Sequence, residues 1–195
     1  GLDVRQLATT ADANRLRQLE NAFVTTGKTI RKRPGLKKIG DIQLGTFGLF
    51  SGLGKLWTFS TFETEHLNLP DLLSHGKLDD PTKSGIKRIV QVEVFQGYLY
   101  VVSQYNDGSY KHHYLDGKTP TYIEDTNCPH TPQVIKNSGK IFAIDDEVVR
   151  FTATNDARDW TLEADAGFLA VSLQQSTSNM PTALGQFEAS LVVFF

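Results

Sequence analysis

Four stretches of this chain share one outline: an apolar segment, a short polar or Gly-containing turn, and a second segment rich in alternating apolar residues. They are residues 48–60 (GLFSGLGKLWTFS), 92–103 (VEVFQGYLYVVS), 133–144 (QVIKNSGKIFAI) and 184–195 (LGQFEASLVVFF). Aligned on the apolar residue that opens each second segment, they fall at Leu56, Leu99, Ile141 and Leu191, spaced by 43, 42 and 50 residues. A recurrence of about 40–50 residues with several strands per unit is the signature of β-propeller blades. A four-stranded sandwich shows such hairpins too; the regularity of the spacing favours the propeller.

The rest of the chain agrees with a mainly β fold. Twelve Phe, six Tyr and two Trp among 195 residues favour strands over helices. Residues 98–105 and 109–115 flank Asn106-Asp107-Gly108, a hairpin signal because Gly tolerates the positive φ of such turns. Residues 147–154 read as a strand paired with 140–144 through a turn at Asp145-Asp146. Helix is sparse. Residues 12–23, with Leu16, Leu19 and Phe23 in helical spacing and Asp12 as N-cap, read as one short helix or an irregular arm. Residues 67–73 hold at most a helical turn, interrupted by Pro70, and residues 74–85 read as a polar loop. The expected organisation is an N-terminal arm with a basic hairpin over residues 1–40. Propeller-type blades follow over 41–195, three units and the start of a fourth. The N-terminus lacks an initiator Met and an apolar leader segment, as a processed chain or a fragment would. The closing Leu-Val-Val-Phe-Phe would leave a sticky apolar edge. It is expected to be paired by a continuation of the chain or by another subunit.

Net charge of −2 gives no global pull toward nucleic acid or membrane. No apolar run approaches the roughly 18 residues of a membrane span, so no membrane anchor is expected. The single cysteine, Cys128, has no internal disulfide partner and fits assembly in a reducing compartment. None of His66, His75, His112, His113 and His130 sits in a metal-ligand pattern, and Cys128-Pro-His130 is too isolated for zinc. His112 and His113, as strand neighbours, point to opposite faces. The glycines at 48–54 lack the Gly-Lys-Ser/Thr of a phosphate loop and run into a strand, so they read as a hairpin turn. No Gly-x-Ser-x-Gly elbow is present. No catalytic residue, metal or cofactor is expected.

Two constellations remain. In Asn155-Asp156-Ala157-Arg158-Asp159-Trp160 the carboxylates suggest acid–base work on a glycosidic bond. They share one short loop with no second acidic motif at clear spacing, so the loop reads instead as a turn cap whose Asn and Asp side chains hold backbone N–H groups. Trp160 would pack between blades. Arg158 as the buried partner of an Asp would cost about 3–5 kcal/mol on removal. The basic cluster Lys28, Arg31, Lys32, Arg33, Lys37 and Lys38 suits DNA phosphates or a solvated face salt-bridged to a neighbouring subunit. A pore that passes DNA should not grip it, which favours the second.

Three segments resemble the β-propeller tail proteins of short-tailed bacteriophages, the nozzle family often called tail tubular protein B. Residues 21–35 (NAFVTTGKTIRKRPG) are similar to its N-terminal element, an Asn-Ala strand leading into an Arg-Pro-Gly turn. Residues 152–160 (TATNDARDW) with 165–168 (DAGF) resemble its blade-closing segment, and 183–187 with 191–194 the strand pair opening its next blade. The resemblance runs in order over most of residues 15–195. Nozzle proteins are several times longer, so the chain reads as a first portion of a nozzle or as a related shorter adaptor. The resemblance implies a virion protein of the phage tail, assembled in the host cytoplasm. It would form a homo-oligomeric ring that contacts other tail proteins and, transiently, the genomic DNA in the channel it gates. On that reading Arg33, Pro34 and Gly35 form a structural turn, and Asn155, Asp156, Arg158, Asp159 and Trp160 close a blade. The alternative is a carbohydrate-binding host-recognition β-domain, with Tyr105, Tyr110, Tyr114 and Tyr122 as its aromatic face. A glycoside hydrolase using Asp156 and Asp159 is a further one.

Overall fold

The computed structural model describes residues 22–24, 30–33, 35, 38, 41–42, 44–60, 64–68, 71–74, 78, 85–116, 120–161, 163, 165–171 and 180–195. They fall in two compact units, residues 1–39 and 40–195. In the first, β1 (Ala22–Val24) and β2 (Ile30–Lys32) form an antiparallel pair with Phe23 opposite Arg31. The expected N-terminal helix is corrected at Ala22 and Phe23, which lie in a strand, and residues 12–21 lie outside the described ones. Ala-Phe-Val has a ladder partner in Ile-Arg-Lys, which outweighs the helical spacing of Phe23 with Leu16 and Leu19. No α-helix occurs among the described residues, and none is long and apolar enough to cross a membrane.

The second unit is a series of antiparallel sheets, each made of consecutive strands. The first joins β3 (Thr46–Gly52), β4 (Lys55–Ser60), β5 (Thr64–Asn68) and β6 (Asp71–Ser74). The second joins β7 (Ile86–Phe95), β8 (Tyr98–Tyr105), β9 (Tyr110–Leu115) and β10 (Thr121–Tyr122). The third joins β11 (Val134–Asn137), β12 (Lys140–Asp145), β13 (Val148–Phe151) and β14 (Gly167–Ala170). A pair, β15 (Ala183–Phe187) and β16 (Ser190–Phe194), follows. The first strands lie side by side in order: β3 meets β7, β7 meets β11, and β11 meets β15.

The four aligned residues occupy one place in this plan. Leu56, Leu99, Ile141 and Leu191 are each the second residue of their sheet's second strand, one past a two-residue hairpin. The turns Leu53-Gly54, Gln96-Gly97 and Ser138-Gly139 have positive φ at both positions, which matches the twist of the strands they join. Two expectations are corrected. Leu67, Asn68 and residues 71–73 form no helical turn but lie in the antiparallel pair β5–β6, with Leu67 opposite Leu72; Leu69 and Pro70 lie outside the described residues. Asp145 ends β12 opposite Val148, which moves the next turn to Asp146 and Glu147 and shortens β13 to Val148–Phe151. Asp146, at φ 52°, takes the left-handed conformation that Asp tolerates.

Strand alternation divides the apolar side chains between successive interfaces. On β8, Leu99 and Val101 join Trp57 and Phe59 of the first sheet, with Leu115 and Leu78. Tyr100 and Val102 point the other way, into a cluster with Val134, Ile141, Ala143 and Trp160. A third cluster joins Val149 and Phe142 to Leu184, Leu191 and Val193. Leu78, within the 74–85 stretch that reads as a polar loop, is buried in the first of these clusters.

A glutamine reinforces two of these junctions. The Gln91 amide donates to the Val134 carbonyl (2.7 Å) while its oxygen accepts the Val134 N–H (3.1 Å). Gln133 does the same with Leu184, donating to its carbonyl at 3.2 Å and accepting its N–H at 3.4 Å. Each side chain acts as a peptide group, bridging first strands that share no backbone ladder.

Candidate functional site

The connection between β13 and β14 carries the Asn-Asp-Ala-Arg-Asp-Trp loop. Its backbone turns back on itself: Ala153 N–H donates to the Asp159 carbonyl (2.8 Å), and Ala153 bridges Asp156. The Asp156 carboxylate accepts the Arg158 N–H at 3.0 Å and both edges of its guanidinium at 2.9 Å. Asp159 accepts the Thr161 N–H at 2.9 Å. The loop is also tied to other elements. Asn155 N–H donates to the Gly139 carbonyl (2.7 Å), Asn155 Oδ1 accepts from the Gln96 amide (2.5 Å), and Ala157 N–H donates to the Tyr98 hydroxyl (3.1 Å).

The anchor that the sequence hides is Asp125, on the β10–β11 connection. Its carboxylate accepts the Trp160 N–H (2.8 Å), the Thr161 hydroxyl (2.9 Å) and the Asn127 N–H (2.8 Å). One acidic side chain thus pins the second sheet's loop to the third sheet's loop and sets Trp160 into the core between them. The Arg158–Asp156 pair is not buried as expected: the side chains are 54% and 38% exposed. The guanidinium lies 5.2 Å over the Tyr114 ring instead. It holds the Asp156 carboxyl below the usual carboxylate range.

Against Trp160 lies a buried polar hub. His112 Nε2 is 2.9 Å from the Thr131 carbonyl, so Nε2 carries the hydrogen and donates it. Nδ1 is then an acceptor, 2.7 Å from the Tyr100 hydroxyl and 3.5 Å from Cys128 Sγ. Burial lowers the His112 pKa to about 4 and pushes the Cys128 thiol and the Tyr100 phenol up. A cysteine beside a histidine suggests a nucleophile, but this thiol stays protonated, and the imidazole nitrogen that would take its proton already accepts from Tyr100. His113 faces the opposite side, bonded through Nε2 to Ser103 Oγ at 2.7 Å and stacked on Tyr105.

Beside the loop opens a cleft of about 640 Å³, lined by Tyr114, Tyr122, Glu124, Asp156, Arg158 and Glu163 among others. Folding therefore brings a second acidic segment, Glu124-Asp125, to the loop's own carboxylates, which sequence spacing does not show. Glycoside hydrolysis needs one carboxyl whose pKa is raised to act as acid. Asp156 is shifted the other way, Asp125 is taken up by three donors, and Asp159 caps Thr161. No group of three His, Cys, Asp or Glu side chains among the described residues is placed to hold a metal. Of the four tyrosines that would make an aromatic platform, Tyr105 is fully buried, a correction forced by its place in the β8 core alternation. Tyr122 has Lys111 over its ring at 5.9 Å, as Tyr114 has Arg158.

In the N-terminal unit Arg31, Lys32, Arg33, Gly35 and Lys38 are exposed; Lys28, Pro34 and Lys37 lie outside the described residues. No protein-family model matches the chain, and no curated protein matches it significantly.

Proposed function

We propose that the four sheets are successive blades of a β-propeller and that the chain is a structural subunit of a short-tailed phage tail, in a nozzle or adaptor ring around the DNA channel. The observation that carries this reading is the order of the sheets. Each four-stranded meander presents its first strand to the first strand of the next, the arrangement of blades about a central axis. The segments that resemble the nozzle family support it: residues 22–24 and 30–32 form a hairpin, 152–160 link one sheet to its neighbour, and 183–194 begin the next sheet. The chemistry of the 153–161 loop also supports a mechanical role, since its carboxylates are engaged in holding the backbone. The exposed Arg31, Lys32 and Arg33 would face a neighbouring subunit or the passing DNA.

The test is denaturing and native mass spectrometry of purified particles. A ring containing this polypeptide, alone or as part of a heavier chain, is the expected result. Absence from particles, with free soluble protein instead, would overturn the proposal and turn attention to glycan binding at the Tyr114–Tyr122 cleft.

A further inference from the structure

The repeat spacing of 43 and 42 residues lengthens to 50 in the third unit, and one connection more than accounts for the excess. The third and fourth strands are joined by two residues in the first sheet and five in the second, but by fifteen, residues 152–166, in the third. A meander can turn with two residues, so the added length is not needed to complete the sheet. Its neck is closed by the third sheet itself. Lys140, which opens β12, donates to the Thr152 carbonyl (3.1 Å) on the outgoing side and to the Asp165 carboxylate (3.0 Å) on the returning side. That carboxylate also accepts from the Thr154 N–H (3.3 Å) and hydroxyl (2.5 Å). The Lys140 side chain is 17% exposed and lies 5.0 Å over the Phe151 ring, which holds the ammonium in place.

The tip, in contrast, reaches back to the second sheet. Asn155 joins two equivalent turns, Gln96-Gly97 and Ser138-Gly139, which lie 42 residues apart: its N–H donates to the Gly139 carbonyl and its Oδ1 accepts from the Gln96 amide. Ala157 N–H meets the Tyr98 hydroxyl on β8, and Arg158 covers the Tyr114 ring on β9. Ala157 and Trp160 then enter the buried cluster that joins Tyr100 and Val102 of the second sheet to Ile141 of the third. One end of the connection is thus fixed by the sheet that carries it, and the other by the sheet before.

We infer that the 152–166 connection is a strap whose tip clamps the second sheet to the third, so that these two sheets open as one unit. In a chain of stacked repeats, neighbours couple through their shared interface, and a repeat whose interface is weak opens by itself. The strap adds hydrogen bonds, a cation–π contact and the Trp160 ring to this one interface. Loosening the tip should free the third sheet first, because β8 of the second sheet is also packed against the first sheet through Leu99 and Val101. The role belongs to the fold and stands apart from the virion setting proposed above.

The experiment is native-state hydrogen exchange of the full chain, comparing the slowest amides of β8 and β12. In the wild type these should exchange through one opening, with protection equal within about threefold. Tyr98→Phe combined with Asn155→Ala removes tip bonds to the second sheet, while the ring at 98 keeps its contacts with Phe95 and Tyr114 and the neck stays closed. In that variant the β12 amides should exchange at least about tenfold faster than those of β8. Asn155→Ala alone should separate them less, in the same direction, and serves if the double variant does not fold. Val149→Ala is the control: it weakens the third sheet at its junction with the fourth, away from the strap, and should speed exchange in β8 and β12 together. Three results would overturn the inference: unequal protection in the wild type, equal protection in the tip variants, or a Val149→Ala variant that separates the strands as the tip variants do.

Discussion

His112 has an uncharged form that the fold uses fully, Nε2–H donating to Thr131 and Nδ1 accepting from Tyr100. Its pKa falls from 6.5 to about 4 through burial, with His130 and Lys111 adding to the effect and the Thr131 carbonyl opposing it. Below about pH 6.5 the unfolded chain binds a proton that the folded chain refuses. Stability should therefore decline as pH falls toward about 4, by up to about 3 kcal/mol. Urea midpoints measured from pH 7 to 4.5 should drop, and His112→Gln should flatten that slope whatever it does to the absolute midpoint. A flat wild-type profile would contradict the neutral, buried imidazole. A second contrast separates two charged residues, Asp125 and Arg158. Asp125→Ala strands the Trp160 and Asn127 N–H groups and should cost about 2–3 kcal/mol. Arg158→Ala breaks a half-exposed pair and should cost under about 1 kcal/mol. Thermal melts that reverse this order would refute the anchoring role given to Asp125.

At the scale of elements, the hairpins that open each sheet were legible because their signals are local: two turn residues, three of the four pairs containing Gly, between apolar runs. The β5–β6 hairpin was not, since Leu67 to Leu73 lacks Gly and Pro70 breaks helix and strand alike. The Asp125–Trp160 tie spans 35 residues, and no local pattern announces it. The glutamine bridges lie between these cases. Gln91 and Gln133 are 42 residues apart, the repeat spacing itself, so the alignment held the clue, but glutamine has no strong preference that singles it out. Gln91→Ala and Gln133→Ala should each destabilise by about 1–3 kcal/mol. Gln91→Glu keeps the acceptor, loses the donor and should be no better than Ala. Urea denaturation checks both, and a neutral Gln91→Glu would show that the bridge does not hold the sheets.

Across the whole molecule, the two tryptophans report different junctions, Trp57 between the first and second sheets and Trp160 between the second and third. The second sheet belongs to both, with β8 buried on each face. Single-tryptophan variants, Trp57→Phe and Trp160→Phe, should therefore give coincident unfolding transitions by fluorescence. Separate transitions would mean that the sheets melt one at a time, as weakly coupled repeats do. The meander order has a further consequence for synthesis. Each sheet is complete before the next begins, and the apolar surface it leaves bare is covered by the sheet that the ribosome makes next. A nascent chain then always carries an unfinished face on its newest sheet, waiting for the strands that follow.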